Sequence, residues 1–405
     1  MQTQSTTVIE SYAKELENEL FSILDYWRRF TVDDIKDGFY GQIDEDNNVH
    51  PTAPKGSVLN ARILWTFSAA YQYTPNPEYL IIADRAYHYI LDHFIDPVYG
   101  GVYWSVDYEG NPLDTKKQIY ALSFTIYGLI EYYRATGVTT ALHTAIELFE
   151  LIEKYSYDPD KGGYFEAFNR EWQTTDDLRL SAKDANEKKT MNTHLHILEA
   201  YTNLYRVWKN EVLKRQTYHL LTIFTHHIID PDTNHQILFF DEDWTAKSDI
   251  VSFGHDIEAS WLLMEAAELL DDHMLLNLVR EKSIALARSS EKGLDTDGGM
   301  WYELEPQSNH WMYEKHWWVQ AEAMVGFFKA YQLTNESHFL DKSLNCWEFV
   351  KKYGIDHTHG EWYWAIMADY STMVNQDKAG LWKCPYHNSR ACLEIIHTAS
   401  LYKGL

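Results

Sequence analysis

The 405-residue sequence predicts an all-α fold, an (α/α)6 barrel of twelve helices with short β-like hairpins in the loops at one end. Three observations predict it. A Gly-plus-aromatic segment recurs at a near-constant interval, each interval holds two long amphipathic stretches, and no linker interrupts the series.

The recurring segment comes first, because its period sets the frame for everything else. Its copies are Asp37-Gly38-Phe39-Tyr40, Gly100-Gly101-Val102-Tyr103-Trp104, Gly162-Gly163-Tyr164-Phe165, Gly298-Gly299-Met300-Trp301 and His359-Gly360-Glu361-Trp362-Tyr363. They lie roughly 61 to 63 residues apart except across one double gap, which a degenerate copy at Ile237-Leu238-Phe239-Phe240 fills, so there are six units. Each unit opens on an Asp- or Pro-bearing turn such as Asp96-Pro97, Asp158-Pro159 or Asp230-Pro231, runs through the Gly-aromatic strand-like piece, and continues in a polar loop. A long helix then follows, at 118–133, 191–207, 255–270, 317–331 and 388–402, with apolar residues at i, i+3, i+4 and no internal proline. Before the next turn comes a second amphipathic stretch, as at 79–94, 140–155 and 338–353. Six helical hairpins closed into a ring place one helix of each pair inside and the other over it. Residues 1–405 are therefore expected to form a single domain, in which the first turns of the inner helices converge on one cavity.

Composition narrows the function. Apolar residues make up 45% and charged residues 23%, which excludes a disordered chain. Sixty acidic against 35 basic residues give a formal charge of -25, a field that repels nucleic acid and anionic lipid alike. No run of about 18 apolar residues exists, and the first residues show no basic-then-apolar leader pattern, so a cytoplasmic protein without membrane contact, expected to be a monomer, is anticipated. Cys346, Cys384 and Cys392 form no C-x-x-C pair and are read as reduced, buried thiols. The excess lies in Trp (15) and Tyr (29), whose flat apolar faces with polar edges suit sugars, although more than half of these rings are expected to fill the core.

At the expected inner-helix mouths stand Asn60 and Arg62; Tyr120; Asn192, His194 and His196; His255 and Glu258; Trp317, Trp318 and Glu322; His387 and Arg390. Three units supply imidazoles. A metal is not expected: His194 and His196 are two apart and point to different faces, no H-E-x-x-H run exists, and the carboxylate of Glu258, three residues after His255, can equally orient an imidazole or bind a hydroxyl. There is no G-x-S-x-G elbow, and the G-G pairs precede aromatic strand-like pieces instead of opening helices over a phosphate. What remains is general acid–base chemistry by imidazoles assisted by an arginine and by aromatic walls. Removal of the proton beside an aldehyde fits this set, with a guanidinium facing the developing enediolate oxygen. Return of the proton on the opposite face of the same carbon is epimerisation; return at carbon 1 is aldose–ketose isomerisation.

The run from Ser181-Ala182-Lys183-Asp184 through Met191-Asn192-Thr193-His194-Leu195-His196 to Glu199-Ala200-Tyr201 strongly resembles the cellobiose 2-epimerases of the N-acylglucosamine 2-epimerase superfamily. So do Asn60-Ala61-Arg62, Gly254-His255-Asp256-Ile257-Glu258, Lys315-His316-Trp317-Trp318-Val319-Gln320-Ala321-Glu322 and Trp382-Lys383-Cys384-Pro385-Tyr386-His387-Asn388. The resemblance implies an (α/α)6 barrel that interconverts glucose and mannose at the reducing end of β-1,4-linked disaccharides without a cofactor. It implies His255 and His387 as the acid/base pair at carbon 2, His196 as the residue assisting ring opening, and Arg62 at the enediolate oxygen. It further implies Tyr120, Asn192, Glu258 and Glu322 as substrate-side contacts, Trp318 and Trp382 as stacking surfaces, and Asp184 as a cap on the second sugar. His194 is expected to be structural, and Trp318 rather than its neighbour Trp317 is expected to face the cavity. Three rivals stay open: a relative acting on N-acetylglucosamine or free mannose, an (α/α)6 glycoside hydrolase using Glu258 and Glu322, and a non-catalytic sugar-binding barrel.

Overall fold

Twelve α-helices alternate between two concentric rings in a computed structural model that describes residues 2–402, with side chains from Thr6 onward. Met1 and residues 403–405 of the expected 1–405 span lie outside the described residues. The inner ring is α2 (Ser57–Tyr73), α4 (Ile119–Thr136), α6 (Met191–Val207), α8 (Phe253–Leu270), α10 (Trp317–Thr334) and α12 (Tyr386–Ser400), each packed on the next and α12 closing on α2. The outer ring is α3 (Pro77–Tyr89), α5 (Thr139–Tyr155), α7 (Glu211–Ile223), α9 (His273–Ser290), α11 (Ser337–Phe349) and α1 (Gln2–Phe30). The chain is therefore an (α/α)6 barrel. Inner helices such as α8 and α10 are apolar nearly all round, as burial on every side demands, whereas α1 and α7 carry one apolar face.

The ring closes by permutation. Each outer helix follows its inner partner in sequence except the last, where α1 covers α12; Tyr12 of α1 also packs beside Phe328 of α10. Residues 2–30 carry no recurring turn ahead of them, so the repeat period does not identify them as the missing sixth outer helix. Outer helices α3, α7 and α11 also end earlier than their apolar pattern suggests, each passing into a wider π-turn at Ile90–Phe94, Phe224–Ile228 and Val350–Gly354.

The recurring segments form the turns at the mouth end. In each unit a residue just before the turn bridges one just after it: Val32 to Phe39, Ile95 to Val102, Tyr157 to Tyr164, Ile229 to Gln236, Leu294 to Met300 and Ile355 to Trp362. The fourth copy thus turns at Asn234-His235, ahead of the expected 237–240; Phe239–Phe240 is instead the strand that pairs with Lys189–Thr190. That pairing repeats round the barrel, because the residues entering an inner helix pair antiparallel with the segment of the following unit, as Lys55–Gly56 does with Ser105–Val106.

Five of the six turns are held by a lysine–aspartate ion pair, buried in four of them and half-buried at Asp295. Lys55 reaches Asp33 at 2.9 Å, Lys117 reaches Asp96 at 2.9 Å, Lys189 reaches Asp158 at 2.7 Å, Lys315 reaches Asp295 at 2.8 Å, and Lys378 pairs with Asp356. Each aspartate belongs to the turn and each lysine to the short strand or bridge after it. The fourth unit has Val251 at the strand position, and a His235–Asp256 contact at 2.7 Å braces that turn instead. Gly163 shows why these turns need glycine: its φ is +81°, and a Cβ there would lie 2.4 Å from Trp244 and 2.8 Å from His194. No described helix is long and apolar enough to cross a membrane, and all three cysteines are buried and unpaired.

Removing one member of such a pair strands a buried charge. Lys189→Met leaves Asp158 without its cation and should lower unfolding free energy by about 3–5 kcal/mol in urea titration. An unchanged midpoint would show that the pair contributes nothing.

Candidate functional site

The inner-helix starts bring most of the expected residues into one cluster. From α2, Arg62 donates from Nη2 to the Tyr120 hydroxyl of α4 at 2.7 Å, and its guanidinium carbon lies 4.1 Å from the Phe124 ring. The Arg62 Nε–H is buried without a protein partner, a donor left for a ligand. Tyr120 and Phe124 both touch His196 of α6, with ring centroids 5.0 and 4.6 Å away. Trp382, in the loop before α12, stands 6.0 Å from Tyr120 and 5.7 Å from Trp104.

Trp318 lies between the other two imidazoles. Its ring is 4.8 Å from His255 of α8 and 5.7 Å from His387 of α12. Gly254 permits this, since a Cβ there would meet the Trp318 ring at 2.6 Å. Trp317, one residue earlier, turns away and packs on Trp364 at 4.6 Å. His194 also faces elsewhere: its Nδ1 meets the Thr190 carbonyl at 2.7 Å, and its Nε2 accepts the Tyr164 amide at 2.9 Å, so it braces the third turn.

Every imidazole of the cluster has its Nδ1 engaged, which leaves Nε2 as the ring nitrogen available to a ligand. His196 Nδ1 meets Glu199 Oε2 at 2.9 Å, His387 Nδ1 meets Glu322 Oε1 at 2.6 Å, and His255 Nδ1 meets the Ser252 hydroxyl at 2.8 Å. A carboxylate partner makes Nδ1 the donor and leaves Nε2 an unprotonated base. Glu258 does not orient His255, despite their i, i+3 spacing. It accepts instead from Arg390 Nη2 at 2.9 Å, because the guanidinium at the floor of the cluster draws carboxylates from three helices. Glu322, unlike Glu258, has both oxygens engaged by protein donors, its Oε1 by His387 and Arg390 and its Oε2 by the Trp261 indole at 3.0 Å.

Two expected residues stand apart from these contacts. Asn192, on the first turn of α6, keeps its Oδ1 buried with no protein partner. Asp184 accepts the Ser181 amide at 2.8 Å within its own loop; its electrostatic neighbours include Lys183 and Glu303, the latter on the hairpin after α9. Four supporting residues escaped the sequence reading: Glu199, Ser252, Trp261 and Tyr386. The i, i+3 spacing of His196 and Glu199 is the one local signal among them.

Burial sets the protonation states. It pushes His255 and His387 down to about 3, and the proximity of His196 and His387 adds to the effect on His255, while Glu322 opposes it for both. His196 is lowered by burial too, against the pull of Glu199. Glu258 is driven well above the ordinary carboxylate range by burial and then by the charge of Glu322. Burial would raise Glu322 as well, but Arg390 and His387 outweigh it and hold this carboxyl ionised.

Glu258, Glu322 and His387 offer donor atoms within 4.8 Å of one another, the spacing of a metal site. The donor set does not fit one. Arg390 already occupies both carboxylates with its positive charge, and His387 Nδ1 points at Glu322. Two hollows elsewhere, of about 250 and 280 Å³, each hold a single histidine, and three of their seven carboxylates, Asp356, Glu265 and Glu268, pair with Lys378, Arg206 and Lys329.

Comparison with known proteins follows the same lines. The family model described as N-acylglucosamine 2-epimerase matches residues 38–391. A cellobiose 2-epimerase of Bacteroides fragilis is 52% identical over 96% of this chain and 99% of its own length. One from Ruminococcus albus is 40% identical, covering 94% of this chain and 97% of its own. The solved cellobiose 2-epimerase of Bacillus thermoamylovorans B4167 superposes with a TM-score of 0.92 at 41% identity, covering 96% of this chain and all of the other.

The depressed histidines make a pH test. A histidine held near 3 in the fold but near 6.5 when unfolded binds its proton only in the unfolded state, so stability is full above about 6.5 and is lost as pH falls toward 3. Histidine ¹⁵N spectra should accordingly show His255 and His387 neutral at pH 5; a midpoint near 6.5 for either would contradict their burial.

Proposed function

The chain belongs to the N-acylglucosamine 2-epimerase family, and from that premise we propose that it epimerises carbon 2 of the reducing-end sugar of β-1,4-linked disaccharides such as cellobiose, lactose or mannobiose. The observation that carries this reading is the trio of imidazoles, His196 and His387 buried and His255 half-buried, each with Nδ1 engaged, gathered with Arg62 round the aromatic surfaces of Trp318 and Trp382. A neutral imidazole with Nε2 free is the base that removal of a carbon-bound proton requires.

In this reading His196, backed by Glu199, opens the sugar ring by taking the anomeric hydroxyl proton as the bond from carbon 1 to the ring oxygen breaks and by handing that proton to the released oxygen, because the carbon 2 proton is acidic only beside a free aldehyde. His255 and His387 then act from opposite faces at carbon 2: the ring that is neutral abstracts the proton, and the other, which has taken up a proton on Nε2 from solvent before carbon 2 reacts, returns it to the planar enediolate and inverts the centre, so that the two rings exchange charge. Glu322 compensates the imidazolium that forms on His387. Arg62, steadied by Tyr120, donates to the enediolate oxygen. Asn192 offers its unpartnered oxygen to a sugar hydroxyl, Trp318 and Trp382 stack on the rings, and Asp184 caps the second sugar. Glu322 takes part through His387, both its oxygens being held by protein donors, while Glu258 rests one oxygen on Arg390 and offers the other to a sugar hydroxyl. No cofactor, nucleic acid or membrane enters this account, and the enzyme is taken to be a cytoplasmic monomer with one catalytic domain over 1–405.

The hydrolase alternative needs two carboxylates flanking the scissile bond, one free to act as nucleophile or base. Here the two candidates share one guanidinium, and Glu322 has no oxygen to spare. Incubation of wild-type protein with cellobiose in deuterium oxide should give an isomer with unchanged carbon skeleton, deuterium at carbon 2 and a mannose-configured reducing end in the proton NMR spectrum. Released glucose, or no exchange at carbon 2, would overturn the reading. His255→Asn and His387→Asn should each lower turnover by about 10²–10⁴-fold. Disaccharide affinity by calorimetry should stay near that of the wild type.

A further inference from the structure

Glu199 and Glu322, the carboxylates behind two of the working imidazoles, meet at a side chain to which the proposed reaction gives no part. We propose that Arg390 is a positioning residue: by clamping Glu199 and Glu322 from one buried guanidinium, it sets the tautomer and orientation of both His196 and His387. The inference rests on the reading above of which imidazoles serve the sugar.

Arg390 occupies the second turn of α12 and is completely buried. Its Nη1 donates to Glu199 Oε1 and to the Tyr386 hydroxyl, and its Nη2 donates to Glu322 Oε1 at 2.6 Å and Glu258 Oε1 at 2.9 Å. Glu199 uses its other oxygen for His196 Nδ1, whereas Glu322 offers His387 Nδ1 the same oxygen that Arg390 grips. Each Nδ1 is thus one carboxylate away from the same cation. The fork cannot easily turn, because Trp261 lies 4.7 Å from the guanidinium carbon and Tyr386 lies 4.2 Å from it. A planar, many-donor cation is needed to hold three carboxylates in fixed directions, which the single ammonium of lysine does not do.

The charges facing this clamp come from every inner helix around it. Arg62 stands on α2, Tyr120 and Tyr127 on α4, His196 and Glu199 on α6. His255 and Glu258 face it from α8 and Glu322 from α10, while α12 adds Tyr386, His387 and Glu394, with Cys384 just ahead of it. Within this set only Arg62 and Arg390 are permanent cations. Without Arg390, protons would settle on Glu199 and Glu322. A protonated carboxyl donates to Nδ1 instead of accepting from it, and the imidazole proton then moves to Nε2, where the reaction needs a lone pair.

The test compares full-length wild type, Arg390→Gln and Arg390→Lys, with cellobiose as substrate. In Arg390→Gln, kcat should fall on the order of 10–100-fold, as for other outer partners of working imidazoles, and KM should change much less. The acid limb of kcat/KM should move to higher pH by about one unit or more, because the lost cation had favoured the unprotonated imidazoles and ionised carboxylates. Arg390→Lys keeps the charge but not the fork: kcat should fall comparably while the limb moves less. A folded Arg390→Gln with wild-type kcat and an unmoved limb overturns the proposal. If that variant does not fold, Arg390→Lys decides, and wild-type kcat in it is equally fatal. Histidine ¹⁵N spectra without substrate, assigned with His196→Asn and His387→Asn, should show both rings as Nδ1–H in the wild type and at least one shifted toward Nε2–H in Arg390→Lys; unchanged tautomers also overturn the clamp. That readout needs no turnover, so a wild type that leaves cellobiose untouched but shows the tautomer change would sink the epimerase reading and not the clamp.

Discussion

The mouth of the barrel depends on a lysine–aspartate pair repeated in five of its six units. A turn rich in positive φ cannot hold itself by side-chain packing, and a two-residue strand makes too few hydrogen bonds to fix a helix start. The ion pair joins the two. Its aspartate also accepts turn amides, as Asp96 does from Val98 and Asp158 from Asp160, so the lysine that enters the inner helix is tied to the turn that precedes it. Such a pair pays a desolvation cost, which makes it a poor source of stability but a strict specifier of geometry. Arg62, Tyr120, His196 and Trp318 stand within about two turns of a helix start fixed in this way, His255 of one fixed by His235 and Asp256, and His387 of one preceded by a buried Lys383–Glu361 pair at 2.6 Å.

A second concentration of charge lies at the floor of the cluster, and the two work differently. At the turns each cation meets one principal turn. At the floor one guanidinium meets carboxylates from α6, α8 and α10, leaving more acids than cations. The excess is relieved by unequal titration: Glu258 is pushed up while Glu322 and Glu199 are held down. This inequality keeps acceptors behind His196 and His387 and so preserves Nε2 as the exposed base on both rings.

The six-unit period, the inner-helix starts and the convergence of their first turns were legible because they follow from local spacing; α6 runs from Met191 to Val207 as its apolar pattern indicates. What was not legible depends on contacts distant in sequence. Residues 2–30 complete the outer ring only because α12, more than 350 residues later, lacks an outer partner. In the sequence the fourth recurring segment reads as 237–240 instead of 234–235 because Asn234 adopts the left-handed conformation that glycine takes elsewhere. The aromatic excess was only partly a sugar signal. Trp172 and Trp244 cover neighbouring turns, their indoles donating to Tyr99 and Lys161 carbonyls, and neither touches the imidazoles at the cluster's centre. Glu258 shows the limit of spacing rules: i, i+3 from His255 put both on one face of α8, but the pull of Arg390 from across the barrel decided where the carboxylate went.

The two imidazoles assigned to carbon 2 are unequally supported, and this bears on how one site can invert a centre in both directions. A two-base epimerase must react with one base neutral and the other protonated, so a pair that is neutral without substrate has to take up one proton from solvent before carbon 2 reacts. His387 rests on an ionised carboxylate that stabilises an imidazolium, whereas His255 rests on the Ser252 hydroxyl, which can accept from or donate to the ring but carries no charge. Burial depresses both, so only the member with an anion behind it has compensation when charged. The proton that the cycle requires is therefore more stable on the α12 side of Trp318, next to Glu322. Reaction from the two epimers then begins from different charge states of the same pair, and equal service to both comes from placing the rings against one indole, where proton return needs no movement of either helix.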